Sequence, residues 1–315
     1  MKKNFGMVFP GQGSQKVGML VDIAKEYKVV TETYAAASAV LGYDLWQLVA
    51  AGPAEQLNQT EYTQPALLVG AYALWQIITE QHHLPCLLAG HSLGEYTALL
   101  CSGALNFAEA VALVAARGRY MQEALPVGAG GLAVIVGLDD VMVQELCQEI
   151  TATGQELLEP ANFNSQGQIV VAGHLGSLLR GIALAKARGA KIAKLLPVSV
   201  PAHCSLMKDA AAKLEALLTT ITIKTPQIKV INNVDAVIYS GPDSIRSGLI
   251  RQLYMPVRWV ATIHEFISYG ITNIIECGPG RVLTGLNRRI SAELSLLHAD
   301  GLSSLRELLD TYEIE

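Results

Sequence analysis

Short apolar runs alternate along the chain with longer segments whose apolar positions recur every three or four residues. That alternation predicts an α/β protein built on a largely parallel sheet, because each buried strand needs a helical crossover to reach the next. Residues 5–9 read as a buried strand ended by the turn Pro10-Gly11-Gln12-Gly13, residues 34–41 and 66–78 as helices, and residues 85–89 as the next strand. Ligands gather at the C-terminal ends of strands in such sheets.

The character changes at Pro126-Val127-Gly128-Ala129-Gly130-Gly131, which reads as a glycine-rich hinge. Beyond it the pattern predicts strand 132–138, helix 141–150, strands 157–163 and 168–172, helix 178–188 and strand 191–196. That order, β-α-β-β-α-β, is ferredoxin-like. Residues 126–197 are therefore expected as an inserted subdomain, and residues 1–125 with 198–315 as the main domain. The last third resumes the larger fold, with a helix over 205–218, a strand over 228–232, helices on both sides of Pro256, and a strand over 271–276 before Gly278-Pro279-Gly280. There are no repeats and no low-complexity tracts.

The strand at 85–89 runs into Gly90-His91-Ser92-Leu93-Gly94, and a breaker-free stretch follows until Gly103. A serine at the tip of a tight strand-to-helix turn is a candidate nucleophile, since the turn lifts its hydroxyl clear of the sheet and needs glycines beside it. Such a serine needs a base. Of the seven histidines, His203 stands out: it follows an apolar strand and Pro201, where a loop can project a side chain over a sheet edge. His91 is expected to point away from its neighbour Ser92, and His82 and His83 to be solvated at a polar helix end. No acid is well placed for a triad. Glu95, Glu109 and Glu123 fall in helical segments, and Asp139, Asp140, Glu145 and Glu149 fall in the insert, so a Ser-His dyad is expected.

Stepping about 100° per residue along the helix after Ala108 puts Arg117 on the apolar face with Ala110, Leu113, Val114 and Met121, and Arg119 on the opposite, solvated side. A guanidinium on a buried face requires a carboxylate partner. Either an internal glutamate supplies it or a substrate does; helix geometry leaves both open. Cys204 reads as a packing residue.

Composition narrows the classes. With 51% hydrophobic and 16% charged residues, the 315-residue chain can bury a large core, and a net charge of −5 gives no global reason to bind nucleic acid or an anionic membrane. Five widely spaced cysteines without a Cys-x-x-Cys pair suggest neither a disulfide framework nor a zinc site, which fits a reducing, cytoplasmic home. Lys2 and Lys3 precede an apolar stretch that Pro10-Gly11 interrupts before a signal sequence can form. The glycines at 128–131 precede a strand instead of following one, and Gly11-Gln12-Gly13 lacks a Walker ending, so no nucleotide loop is expected.

Taken in order, several motifs resemble one family: Phe9-Pro10-Gly11-Gln12-Gly13-Ser14-Gln15, Gly90-His91-Ser92-Leu93-Gly94-Glu95-Tyr96, Arg117-Gly118, Asn162-Phe163-Asn164-Ser165, Val198-Ser199-Val200-Pro201-Ala202-His203, Asn232-Asn233-Val234, Arg251-Gln252-Leu253 and Glu276-Cys277-Gly278-Pro279-Gly280. The chain resembles the malonyl-CoA:acyl carrier protein transacylases of fatty acid synthesis, which are similar to the acyltransferase domains of polyketide synthases. The resemblance implies an α/β-hydrolase-like domain carrying a ferredoxin-like insert. It implies Ser92 as nucleophile, His203 as base and later acid, the main-chain N–H groups of Gln12 and Leu93 as oxyanion hole, Arg117 as clamp for the malonyl carboxylate, and the Gln252 carbonyl as the group that orients His203. Malonyl-CoA and acyl carrier protein are the implied partners, with no cofactor or metal, and the chain is expected to be a monomer. Leu132 and Met255 depart from the family's usual residues and are expected to shape the acyl channel. The rival readings are a serine esterase or thioesterase and a non-catalytic partner that only docks carrier protein.

Overall fold

The computed structural model describes residues 4–80, 84–152, 156–198 and 200–312. Lys2, Lys3, His82, His83 and Ser199 lie outside the described residues.

Among the described residues nine strands form two sheets: β1 (Phe5–Phe9), β2 (Leu87–Gly90), β3 (Gly130–Val136), β4 (Leu158–Ser165), β5 (Gln168–His174), β6 (Ile192–Leu195), β7 (Lys229–Ile231), β8 (Asn273–Glu276) and β9 (Ser295–His298). The larger sheet has the order β7-β2-β1-β8-β9, and every pairing in it is parallel. Strand β1, Phe-Gly-Met-Val-Phe, is buried at all positions, which is why it reads as an unbroken apolar run: a central parallel strand is covered by helices on both faces. Met7 and Phe9 pack on one face, Val8 on the other.

The second sheet has the order β4-β5-β3-β6 and is antiparallel, with helices Asp140–Ala152 and Leu175–Ala187 between its strands in sequence. The ferredoxin-like expectation is met in element order and in strand order. Alternation along the strands divides its two faces. Ala133 and Ile135 pack with Leu146, Ile150 and Leu178 under the two helices, whereas Leu132, Val134 and Val170 turn toward the main body. Main-chain bonds from Val257 N to Ala161 O and from Phe163 N to Val257 O join that sheet to the larger unit.

Several boundaries differ from expectation, each for a local reason. Gly130 and Gly131 belong to β3, not to a hinge; a Cβ on Gly131 would lie 3.1 Å from the Val198 carbonyl oxygen, so the strand begins in glycine because backbone passes close by. The helix placed at 66–78 starts at Thr60, upstream of Pro65, and the one placed at 34–41 starts at Lys28. Strand β9 escaped notice because it is a short edge strand without a fully buried position. Among the described residues no helix is long and apolar enough to cross a membrane.

The C-terminal ends of β1, β2 and β7 deliver Gly11, Ser92 and Asn233 to one edge of the parallel sheet. Close packing there is strict: a Cβ on Gly94 would sit 2.0 Å from the Phe9 carbonyl oxygen. Gly94→Ala is expected to cost about 3 kcal/mol or more by overpacking. Gly285→Ala, in a helix with open space around it, is expected to raise stability by up to about 1 kcal/mol. Denaturant melts of the two variants check the contrast, and equal stabilities would contradict it.

Candidate active site

Strand β2 ends at Gly90, the chain turns at Ser92 with a φ of 53°, and the helix Gly94–Cys101 begins at once. A Cβ on Gly90 would overlap the Gly94 carbonyl carbon at 1.8 Å, so the turn cannot close around a side chain. Asn233 fastens it from outside: its Oδ1 accepts from the Ser92 main-chain N–H at 2.7 Å, and its Nδ2 donates to the Gly90 carbonyl at 2.6 Å.

The Ser92 hydroxyl lies 2.7 Å from His203 Nε2. On the other side of the ring, Nδ1 is 2.7 Å from the main-chain carbonyl of Gln252, an atom that can only accept. Nδ1 therefore carries the proton, and Nε2 presents its lone pair to the serine. His203 itself has a φ of 65° and is held there by its N–H, which donates to the Leu253 carbonyl at 2.9 Å. Burial, and next the charge of Arg117, lower the imidazole to about 3, so it is neutral at ordinary pH and its Nε2 lone pair is free. A carbonyl occupies the place where a triad has its acid.

Arg117 is 1% exposed, on the face its helix spacing implied. Nη1 donates to Gln64 Oε1 and Nη2 to Gln252 Oε1, both at 2.9 Å, and Nη2 lies 3.4 Å from Ser92 Oγ. The guanidinium carbon sits 5.2 Å from the centre of the Tyr96 ring, and Nε has no hydrogen-bond partner. Among the described residues no carboxylate forms an ion pair with it. The internal salt bridge that helix geometry left open is absent.

These groups open onto a cavity of about 480 Å³ between the two sheets. Met121, Leu132, Val134, Val170 and Leu286 give it apolar walls, while Asn162, Asn164 and His91 add polar points. Gln12 and Leu93 line the cavity with Ser92, and their main-chain N–H groups have no protein acceptor among the described residues. Leu132 is on the wall; Met255 is not among the lining residues. His91 does not turn away from the site as expected. It lines the cavity, because Asn164 Oδ1 offers its Nε2 a partner at 2.8 Å and the Trp259 ring packs beside it at 5.4 Å. Cys204 is buried, its thiol pushed up to about 12, which leaves it unreactive.

Comparison with known proteins decides the class. A family model described as "Acyl transferase domain" matches residues 7–289. The chain belongs to the acyl transferase family. A malonyl CoA-acyl carrier protein transacylase of Salmonella typhimurium is 53% identical to this acyltransferase over 91% of this chain and 92% of that one; one from Bacillus subtilis is 38% identical over 98% and 97%. Among solved structures, a malonyl-transacylase in complex with a type II polyketide synthase acyl carrier protein superposes with a TM-score of 0.96 at 48% identity, covering 98% of this chain and all of that one. An acyl carrier protein S-malonyltransferase from Vibrio cholerae gives 0.93 at 49% identity, over 97% and 100%.

Two residues of the acyltransferase site escaped the sequence reading. Glu95 is fully buried, accepting from Tyr239 Oη and Gln252 Nε2 at 2.5 Å each and from the Asn233 main-chain N–H at 3.2 Å. Burial pushes its carboxyl up to about 7 against those three donors. The available signal was the run Glu95 to Leu99: in a helix buried on every side, an acid has nowhere exposed to go. Gln64, which holds Arg117, carried no signal beyond an apolar neighbourhood. No group of His, Cys, Asp or Glu able to hold a metal is found among the described residues.

With His203 neutral down to about pH 3, Ser92 reactivity toward an uncharged electrophile keeps its base as pH falls through the ordinary histidine range. Inactivation by a neutral phosphonofluoridate is expected to stay flat between pH 8 and 5, to within about threefold. A decline centred near 6.5 would contradict the burial account.

Proposed function

We propose that this acyltransferase moves a malonyl group from malonyl-CoA to the phosphopantetheine thiol of an acyl carrier protein through an ester on Ser92. One observation carries the reading: a buried guanidinium with no carboxylate partner among the described residues stands 3.4 Å from the Ser92 hydroxyl oxygen. A substrate whose acyl group ends in a free carboxylate supplies the missing anion where the chemistry happens. The relatives' names point to the same donor and acceptor.

The reaction runs in two halves. His203 Nε2 takes the Ser92 proton as Oγ attacks the thioester carbonyl, and the N–H groups of Gln12 and Leu93 meet the charge that develops on the carbonyl oxygen. As the C–S bond breaks, His203 returns the proton to the CoA sulfur. The carrier thiol then gives its proton to His203, attacks the malonyl ester, and Ser92 recovers a proton as it leaves. The Gln252 carbonyl keeps the imidazole in one tautomer throughout. Water can replace the thiol in principle, which is the thioesterase alternative; the apolar cavity walls limit its access.

Several finer points belong to the same reading. Residues 126–197 act as a subdomain that closes one wall of the cavity over a main domain made of 1–125 and 198–315. The carrier protein docks near Arg288 and Arg289, since Arg289 bonds to Gln168 on the cavity wall, whereas Lys186, Lys191 and Lys194 are exposed away from it and Arg188 pairs with Glu149. Free thiols on all five cysteines suit a reducing, cytoplasmic setting.

Malonyl-CoA alone is expected to leave a malonyl adduct on Ser92, seen by intact mass and absent in Ser92→Ala; CoA release with no adduct would favour hydrolysis instead. Arg117→Ala is expected to reduce malonyl transfer by about tenfold to a hundredfold, the equivalent of a charge-assisted hydrogen bond, with acetyl transfer much less affected. Equal losses on the two substrates would remove the clamp.

A further inference from the structure

The Gln252 side chain touches three parts of the site at once. Its Nε2 donates to the Ser92 carbonyl at 2.9 Å and to Glu95 Oε2 at 2.5 Å, and its Oε1 accepts from Arg117 Nη2 at 2.9 Å. An amide has two orientations that fill the same space with donor and acceptor exchanged. Here the partners choose between them. The Ser92 carbonyl and the Glu95 carboxylate accept, so NH₂ must face them; the remaining oxygen must then face Arg117, which only donates.

We infer that Glu95 is a positioning residue: its buried carboxylate fixes the orientation of the Gln252 amide, and the amide fixes the Arg117 guanidinium toward the acyl group on Ser92. The inference rests on the proposed clamp role of Arg117 and deepens it. Glu95 is 0% exposed, lies beneath the turn that carries Ser92 and does not line the cavity, so it touches no substrate. Among the described residues, its hydrogen bonds all come from donors: Tyr239 Oη, the Asn233 N–H and Gln252 Nε2. Three donors converge on its two oxygens, and as the carboxylate it sets a negative charge across a single amide from the buried positive charge of Arg117. Without a carboxylate at this position, only the Ser92 carbonyl and Arg117 still favour the native amide orientation. The flipped one sets Nε2 against the guanidinium, donor against donor, and drives Arg117 out of line.

Glu95→Gln tests the chain of contacts with almost no change in volume. Its own NH₂ confronts the Gln252 NH₂, so the amide flips and the clamp loosens. The readout is the ratio of kcat/KM for malonyl-CoA over acetyl-CoA in forming the Ser92 ester. It is expected to fall about tenfold or more, through KM for malonyl-CoA, while acetyl loading changes less than about threefold. A merely structural role lowers both substrates alike, and that result overturns the inference, as does an unchanged ratio. If Glu95→Gln does not fold, Glu95→Asp draws the carboxylate back by one methylene and is expected to lower the same ratio. Tyr239→Phe removes a different donor and keeps the Glu95–Gln252 contact, so its ratio is expected to stay within about twofold of wild type; a collapse there overturns the inference too. A wild-type enzyme with no preference for malonyl-CoA sinks the clamp itself, whereas a wild-type preference that survives in Glu95→Gln overturns this inference alone.

Discussion

A positive charge held out of water without a counter-charge in contact is the constraint on which the site depends. Moving a guanidinium into a protein interior costs several kcal/mol, and Arg117 recovers only part of that from two amide oxygens, the Tyr96 ring and a distant Glu95. The helix carries the cost because its neighbours Ala110, Leu113, Val114 and Met121 are buried in the main core. What remains is a site that is electrostatically incomplete until an anion enters. The same charge helps hold His203 neutral, so in the proposed reaction one residue both prepares the base and receives the substrate's carboxylate.

The pair proposed to do the chemistry supplies two of the four non-glycine residues with positive φ among the described residues. Ser92 and His203 both occupy the left-handed region, a conformation that costs on the order of 1–3 kcal/mol for a residue with a side chain. Each is held by a neighbour's main-chain or amide group: Asn233 for Ser92, and the carbonyls of Leu253 and Gln252 for His203. Gln252 thereby joins the two strained residues and the charge. Its carbonyl accepts from the imidazole, and its side chain ties the Ser92 carbonyl to Arg117.

What was legible in the chain followed from pattern. A fully buried central strand, a two-glycine turn around serine, an arginine in phase with alanine and leucine, and the order of six elements in the insert all leave periodic or compositional marks. Residues that act through amide groups leave none: Gln64, Asn233 and the side chain of Gln252 have no periodicity, and their roles exist only once distant segments meet. Glu95 was visible as an acid in an apolar helix, yet its partners Tyr239 and Gln252 lie more than a hundred residues away. Gly130 and Gly131 misled for a related reason. Glycine marks both a hinge and a strand pressed against backbone, and only the Val198 carbonyl beside Gly131 tells them apart.

A crystal structure of the enzyme with malonate esterified to Ser92 tests the central claim most directly. The account predicts that the free carboxylate lies within about 3.2 Å of the Arg117 nitrogens, that the ester carbonyl oxygen faces the Gln12 and Leu93 N–H groups, and that Gln252 keeps its contact with Glu95. A malonyl carboxylate turned toward the cavity mouth, with Arg117 still bonded only to Gln64 and Gln252, would contradict it.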